Sequence, residues 1–315
     1  IITMHNNRSA NERAYEDEIN LLELAQAIVK GKWLIILITS IISVFGVFYS
    51  LSLPNIYESK ALLYSVEQKN AAGSTIGAYS SLAGLAGINL PSQSNETNAI
   101  KAIEKANSFS FFKNNLLPNL HLPNLMAVDY WNEESNLLVY DINIYDENTN
   151  SWVRDFQHPQ KQIPSAQESF EVFKKHLRLS ENEDTGFVSI SIRHQSPFVA
   201  KTWTELVVKE LNNYFRTKDK KEAEIAADFL KKQIAQTSFT EIKQVVAELL
   251  QGRTQQLTLI EVSNFYVFDY IDPPVVMEKK SEPKRFRICL FAALLGFTMG
   301  IIIVTINYFL TSKRL

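Results

Sequence analysis

Asp272-Pro273-Pro274, Glu278-Lys279-Lys280-Ser281-Glu282 and Pro283-Lys284-Arg285-Phe286-Arg287 lead into ICLFAALLGFTMGIIIVTINYFL, residues Ile288 to Leu310. A charge-free run of about 23 residues crosses a hydrocarbon core of roughly 30 Å as a helix. The prolines close whatever precedes them, because proline donates no backbone hydrogen bond. This stretch therefore splits the chain into a large polar middle and a membrane exit. Gly296 and Gly300 form Gly-x-x-x-Gly, which bares backbone on one helix face for close packing. Its partner is the first span, another copy, or another membrane protein.

Trp33 to Leu53 is the second uncharged run, with Trp33 and Tyr49 near its ends as interface anchors. It starts too far in for a signal peptide and lacks a small-residue cleavage pattern, so it reads as a retained span. Before it, Ile19, Leu22, Leu24, Ala25, Ile28 and Val29 follow a helical period, with Glu16, Asp17 and Glu18 ahead and Lys30 and Lys32 behind. That segment is either an amphipathic helix at a membrane surface or the first turns of the span. Two spans put both termini on one side. Lys279, Lys280, Lys284, Arg285 and Arg287 oppose the orientation that Lys30, Lys32, Lys313 and Arg314 favour. The charge rule is weak across so long a middle region.

The 315 residues carry a net charge of -2, with 46% hydrophobic and 21% charged residues, and show no global basic footprint for nucleic acid. The single cysteine, Cys289, lies in the apolar run, so no intramolecular disulfide forms. The middle mixes two periods. Leu62, Tyr64 and Val66 alternate with Leu63, Ser65 and Glu67 as a strand; so do Tyr140, Ile142 and Ile144 with Asp141, Asn143 and Tyr145, and Val188, Ile190 and Ile192 with Ser189, Ser191 and Arg193. Phe265 to Ile271 is a further strand. Residues 97–117 read as one or two helices ended by Pro118. Ser165 to Leu177 is a helix with a Ser165/Glu168 capping box. Ser196-Pro197 opens the longest helix, to about Ala235, with Ser as cap and Pro at the first position. Its polar middle, Arg216 to Glu224, loses the apolar stripe, so it projects as a stalk, lies against another subunit, or is a solvated face with a short break. Thr237-Ser238 interrupts, and a second helix follows through Ile242, Val246 and Leu250. The fold class is thus α+β with a long extended helix, flanked by two transmembrane helices.

No catalytic constellation emerges. His5, His121, His158, His176 and His194 lack metal-ligand spacing, no Gly-x-Ser-x-Gly elbow occurs, and Gly31-Lys32 is followed by Trp33. The glycines of 71–94 lack the lysine of a phosphate loop and read as a flexible loop or a small-residue helix. No cofactor or metal is expected, and the chain reads as a non-enzyme.

From Glu18 to Leu310 the chain resembles the Wzz-type chain-length determinants, class 1 polysaccharide co-polymerases of Gram-negative inner membranes. Glu18 to Leu24, Pro54-x-x-Tyr57, Thr185-Gly186, Ser196-Pro197-x-x-Ala200, Glu241 to Val246 and Tyr266 to Pro273 carry the likeness. So do Pro274, Glu278 and Pro283-Lys284-Arg285; Met277 stands where the family usually has proline. The resemblance implies cytosolic termini (1–32 and 311–315), spans at 33–53 and 288–310, and a periplasmic domain over 54–287. It implies a ring-like homo-oligomer that sets O-antigen length in lipopolysaccharide biosynthesis with a Wzy-type polymerase. Inner-membrane lipids and the growing lipid-linked glycan are further implied partners. Two other readings stay open: a capsule or exopolysaccharide export co-polymerase with a separate kinase, and a two-span periplasmic sensor. The sensor needs an output module that five residues after Leu310 do not supply.

Overall fold

The computed structural model describes residues 21–66, 98–263 and 265–312, and the Gly-rich 71–94 stretch and residues 1–20 lie outside them. The chain divides into a helical unit, residues 1–55 with 282–315, and an α+β unit, residues 56–281. It passes between them at Asn55–Ile56 and Ser281–Glu282.

In the helical unit, α1 (Leu21–Lys30) is separated by Gly31 from α2 (Lys32–Ser52), and the chain returns as α8 (Arg285–Ser312). Both α2 and α8 are long and apolar enough to cross a membrane. Their contact is made by small residues. A Cβ added to Gly296 would lie 2.9 Å from Thr39 Cα, and one on Gly300 would lie 3.1 Å from Ile35 Cα. A Cβ on Gly46 would overlap Ala292 Cβ. The pair is antiparallel, since rising numbers in α2 meet falling numbers in α8.

The α+β unit is built on a four-stranded antiparallel sheet. Its strands are β1 (Tyr57–Ser65), β6 (Leu177–Glu181), β7 (Val188–His194) and β8 (Phe268–Asp272), in the order β6-β7-β1-β8. Two small hairpins, β2 (Val128–Asn132) with β3 (Leu137–Tyr140) and β4 (Tyr145–Asp146) with β5 (Ser151–Trp152), stand apart from it. The helices are α3 (Asn98–Ala106), α4 (Leu122–Met126), α5 (Ala166–His176), α6 (Pro197–Gln236) and α7 (Thr240–Val262). The first half of α6 covers β1 and β7, burying Trp203, Val207, Val208 and Leu211 against Leu63, Val188, Ile190 and Ile192.

The start and span of α6 agree with the sequence reading: Ser196 Oγ accepts the Val199 N–H at 3.5 Å and Pro197 is its first residue. The capping box of α5 is also present. Ser165 Oγ accepts the Glu168 N–H at 3.2 Å, and the Glu168 carboxylate accepts the Ser165 N–H at 2.8 Å.

Four expectations need correction. The strand expected at Tyr140–Ile144 ends at Tyr140. Asp141 Oδ1 accepts the Asn143 N–H at 2.8 Å, turning the chain, and Ile142 is left 79% exposed. In β1 the buried face is Tyr57, Ser59, Ala61, Leu63 and Ser65, the opposite set from Leu62 and Tyr64. Leu62 and Leu63 are equally apolar, so their alternation could not choose a side; α6 does. Pro118 does not end a helix of α type. Phe112–Leu116 widens to a π-helix and Leu117–Asn119 tightens to a 3-10 turn that contains the proline.

Fourth, the polar middle of α6 does not stand free. After the connection Thr237–Phe239, α7 folds back along α6. Ala223 and Ala227 of α6 and Ile260 of α7 are buried. Lys220 Nζ meets Glu261 at 2.8 Å, Tyr266 Oη donates to Asp219 at 2.7 Å, and Arg216 donates to the Ser263 carbonyl. On the α6 side polar pairs and alanines line this seam in place of large apolar side chains, which is why no stripe is visible in that part of the sequence.

Candidate functional site

The sequence-derived candidates fall into both units. In the α+β unit, β8 ends at Asp272, and Pro273 and Pro274 follow it, as proline's missing donor requires. Pro274 is buried and Pro273 exposed. The segment beyond runs back along the start of β1. Ser59 Oγ donates to the Val275 carbonyl at 2.8 Å, and the Ser281 N–H donates to the Ile56 carbonyl at 2.8 Å. These two bonds tie together the places where the chain enters and leaves the unit. Neither serine was legible as a tie, because each acts across more than 200 residues.

Tyr57 is buried and packs edge-on against Trp131 with centroids 5.5 Å apart; burial, then Glu133, pushes its phenol up. Next to it, Glu58 bridges the sheet, accepting from Ser191 Oγ at 2.8 Å and Arg193 Nε at 3.1 Å. Glu278 is exposed. In the helical unit, Pro54 and Lys284 are exposed, and Arg285 Nη2 donates to Asn55 Oδ1 at 3.2 Å. Gly296 and Gly300 face α2, as described above.

Two polar groups at the core were missed. Asn212, on α6, is buried. Its Oδ1 accepts N–H groups from Tyr266, Val267 and Phe268 at 3.2, 2.8 and 2.9 Å, and its Nδ2 donates to the Phe268 carbonyl at 3.0 Å. One amide thus satisfies the irregular entry to β8. His194, at the end of β7, accepts the Ser196 N–H on Nδ1 at 3.0 Å and donates from Nε2 to the Asn124 carbonyl at 3.0 Å. Trp203 and His176 pack on its ring at centroid distances of 5.0 and 5.7 Å. Burial drives its pKa down to about 4, and His176, whose Nδ1 donates to the Arg193 carbonyl at 2.6 Å, is lowered by burial as well. Both are neutral joints between elements at neutral pH. Among the described residues, no group of three His, Cys, Asp or Glu side chains could hold a metal ion.

Residues 17–110 match the Wzz family, described as chain length determinant protein. The Wzz match covers α1, α2, β1 and α3, and bears out over that stretch the resemblance read from the sequence. No curated protein matches the chain. Among solved structures, a full-length bacterial polysaccharide co-polymerase is similar at 13% identity and a TM-score of 0.39, covering 93% of this chain and 99% of that one. A fragment of WzzB, a polysaccharide co-polymerase from Salmonella Typhimurium, is similar at 15% identity and a TM-score of 0.29, covering 72% of this chain and 100% of the fragment.

Proposed function

We propose that this chain is a non-enzymatic regulator of polysaccharide chain length, setting the modal length of O-antigen on lipopolysaccharide beside a Wzy-type polymerase. The observation that carries the reading is the match of residues 17–110 to the chain length determinant family. In this reading α2 and α8 lie in the bacterial inner membrane, residues 1–32 and 311–315 are cytosolic, and 54–287 is the periplasmic domain. The growing lipid-linked glycan is extended next to the protein, which itself makes and breaks no bond.

The reading includes a ring-like homo-oligomer, and the α6–α7 hairpin supports it. One side of α7 serves α6 through Val246, Leu250, Leu257 and Ile260. A second side carries Ile242, Val245, Leu249 and Leu259, exposed at 50, 57, 56 and 67%. Their spacing keeps to the a and d positions of a heptad, the pattern that seats one helix on another. Single exposed apolar residues need no explanation, but a stripe along a helix marks an interaction surface.

The test is the glycan ladder of a deletion strain complemented with this chain. The expected result is a shifted modal band at unchanged total polymer. An unshifted ladder, or loss of all polymer on deletion, sinks the proposal.

A further inference from the structure

The end of the helical unit where α8 begins gathers three cations within four residues, Lys284, Arg285 and Arg287. None of the three forms an ion pair with the described residues. Arg285 is oriented by its bond to Asn55, while its Nε, shielded from water, has no hydrogen-bond partner. Lys284 and Arg287 are exposed, and Phe286 between them is 79% exposed. Opposite, Tyr49 near the end of α2 is also exposed. Cations and aromatic rings at one end of a spanning pair are the composition of a headgroup belt.

This clustering is electrostatically unfavourable in the protein alone. Three like charges repel one another, and among the described residues no carboxylate forms an ion pair with them. It also runs against the usual bias of Lys and Arg to the other side, since Lys30 and Lys32 lie at the opposite end of the pair. An anion removes the conflict. A phosphate ester suits it best, because guanidinium forks bind phosphate oxygens in pairs and lysine adds a point charge. Phe286 and Tyr49 add apolar surface at the depth where such an ester meets its acyl chains.

We propose that Lys284, Arg285 and Arg287 form a docking surface for the phosphate of an anionic phospholipid, held beside the Asn55–Arg285 contact. The bound lipid neutralises the basic turn and fixes the depth at which α8 enters the membrane. This inference rests on the reading of α2 and α8 as spans.

The test uses the full chain purified in a non-ionic detergent, with phosphatidylglycerol or phosphatidylcholine added at equal concentration and bound lipid counted by native mass spectrometry. The wild type is expected to prefer phosphatidylglycerol on the order of a hundredfold, from about fivefold per basic residue. K284Q/R285Q/R287Q falls to near parity, and K30Q/K32Q keeps most of the preference. Circular dichroism verifies the fold of each variant. If the triple variant loses helix content, exposed R287Q alone decides, with an expected loss of about fivefold. A wild type without preference, or basic-turn variants that keep it in full, overturns the proposal. Displacement of phosphatidylglycerol by equimolar farnesyl pyrophosphate also overturns it, by assigning the surface to a polyprenyl pyrophosphate. Alkaline carbonate extraction separates the two levels: release from membranes removes the spanning reading, whereas retention without lipid preference removes only the docking surface.

Discussion

His194 shows how one side chain can set a pH response. Its pKa falls from an ordinary 6.5 to about 4 in the folded state, chiefly through burial. The unfolded chain therefore binds a proton that the native chain refuses between those values, and stability declines as pH falls through that window. The loss approaches about 3 kcal/mol by pH 4, and His176, lowered in the same direction, adds to it. Urea midpoints measured at pH 7.5 and 4.5 should differ accordingly, and H194Q should flatten the difference while lowering stability at pH 7.5. An undiminished pH slope in H194Q would remove this histidine from the account. Glycines give a second contrast at the same scale. Gly296→Leu forces side-chain atoms into Thr39 backbone and should cost the α2–α8 contact about 1–3 kcal/mol. Gly252→Ala meets nothing within 4 Å inside a helix and should stabilise by about 0.5–1 kcal/mol. Thermal unfolding in detergent reads both, and equal effects at the two sites would show that close approach is not what glycine supplies at 296.

Among the elements, α5, β7 and α6 were legible because their signals are local. Ser165 and Glu168 reach each other within one turn, Val188, Ile190 and Ile192 share one strand face, and Ser196-Pro197 carries its own cap. The strand placed at 140–144 failed for the converse reason. Its alternation was real, but Asp141 had a competing local bond to the Asn143 N–H that ends the strand. The α6–α7 hairpin was half legible: the break at Thr237 is in the sequence, while the return of α7 onto Ala223 and Ala227 is not. The outward stripe of α7 yields an element-scale prediction. Leu249→Glu alters a residue 56% exposed in the protomer, so it should leave the monomer folded and shift sedimentation toward smaller species. A mutant that sediments like the wild type would remove α7 from the subunit contact.

For the whole molecule, the two units differ in what holds them. The α+β unit closes its own core, with β1 and β7 central, α6 across them, and Ser59 and Ser281 tying its two ends. Residues 56–281 expressed alone should therefore be soluble and unfold in one cooperative transition, as followed by circular dichroism in urea. A molten product without near-ultraviolet signal would show that the core depends on the helices. Among its described residues the helical unit has no such core, and its apolar surface instead suits a lipid solvent.

The sequence by itself determined the composition of this protein: two apolar runs, the strand and helix periods between them, the caps of α5 and α6, and the prolines that end β8. These depend on residues a few positions apart, so the chain states them locally. Only the tertiary structure decided which face of β1 turns inward, that Gly296 and Gly300 meet Thr39 and Ile35, and that α7 covers the polar stretch of α6. It alone brought Asn212 to the entry of β8. Each of these joins residues dozens to hundreds of positions apart, where the geometry of packing selects among pairings that local pattern leaves equal.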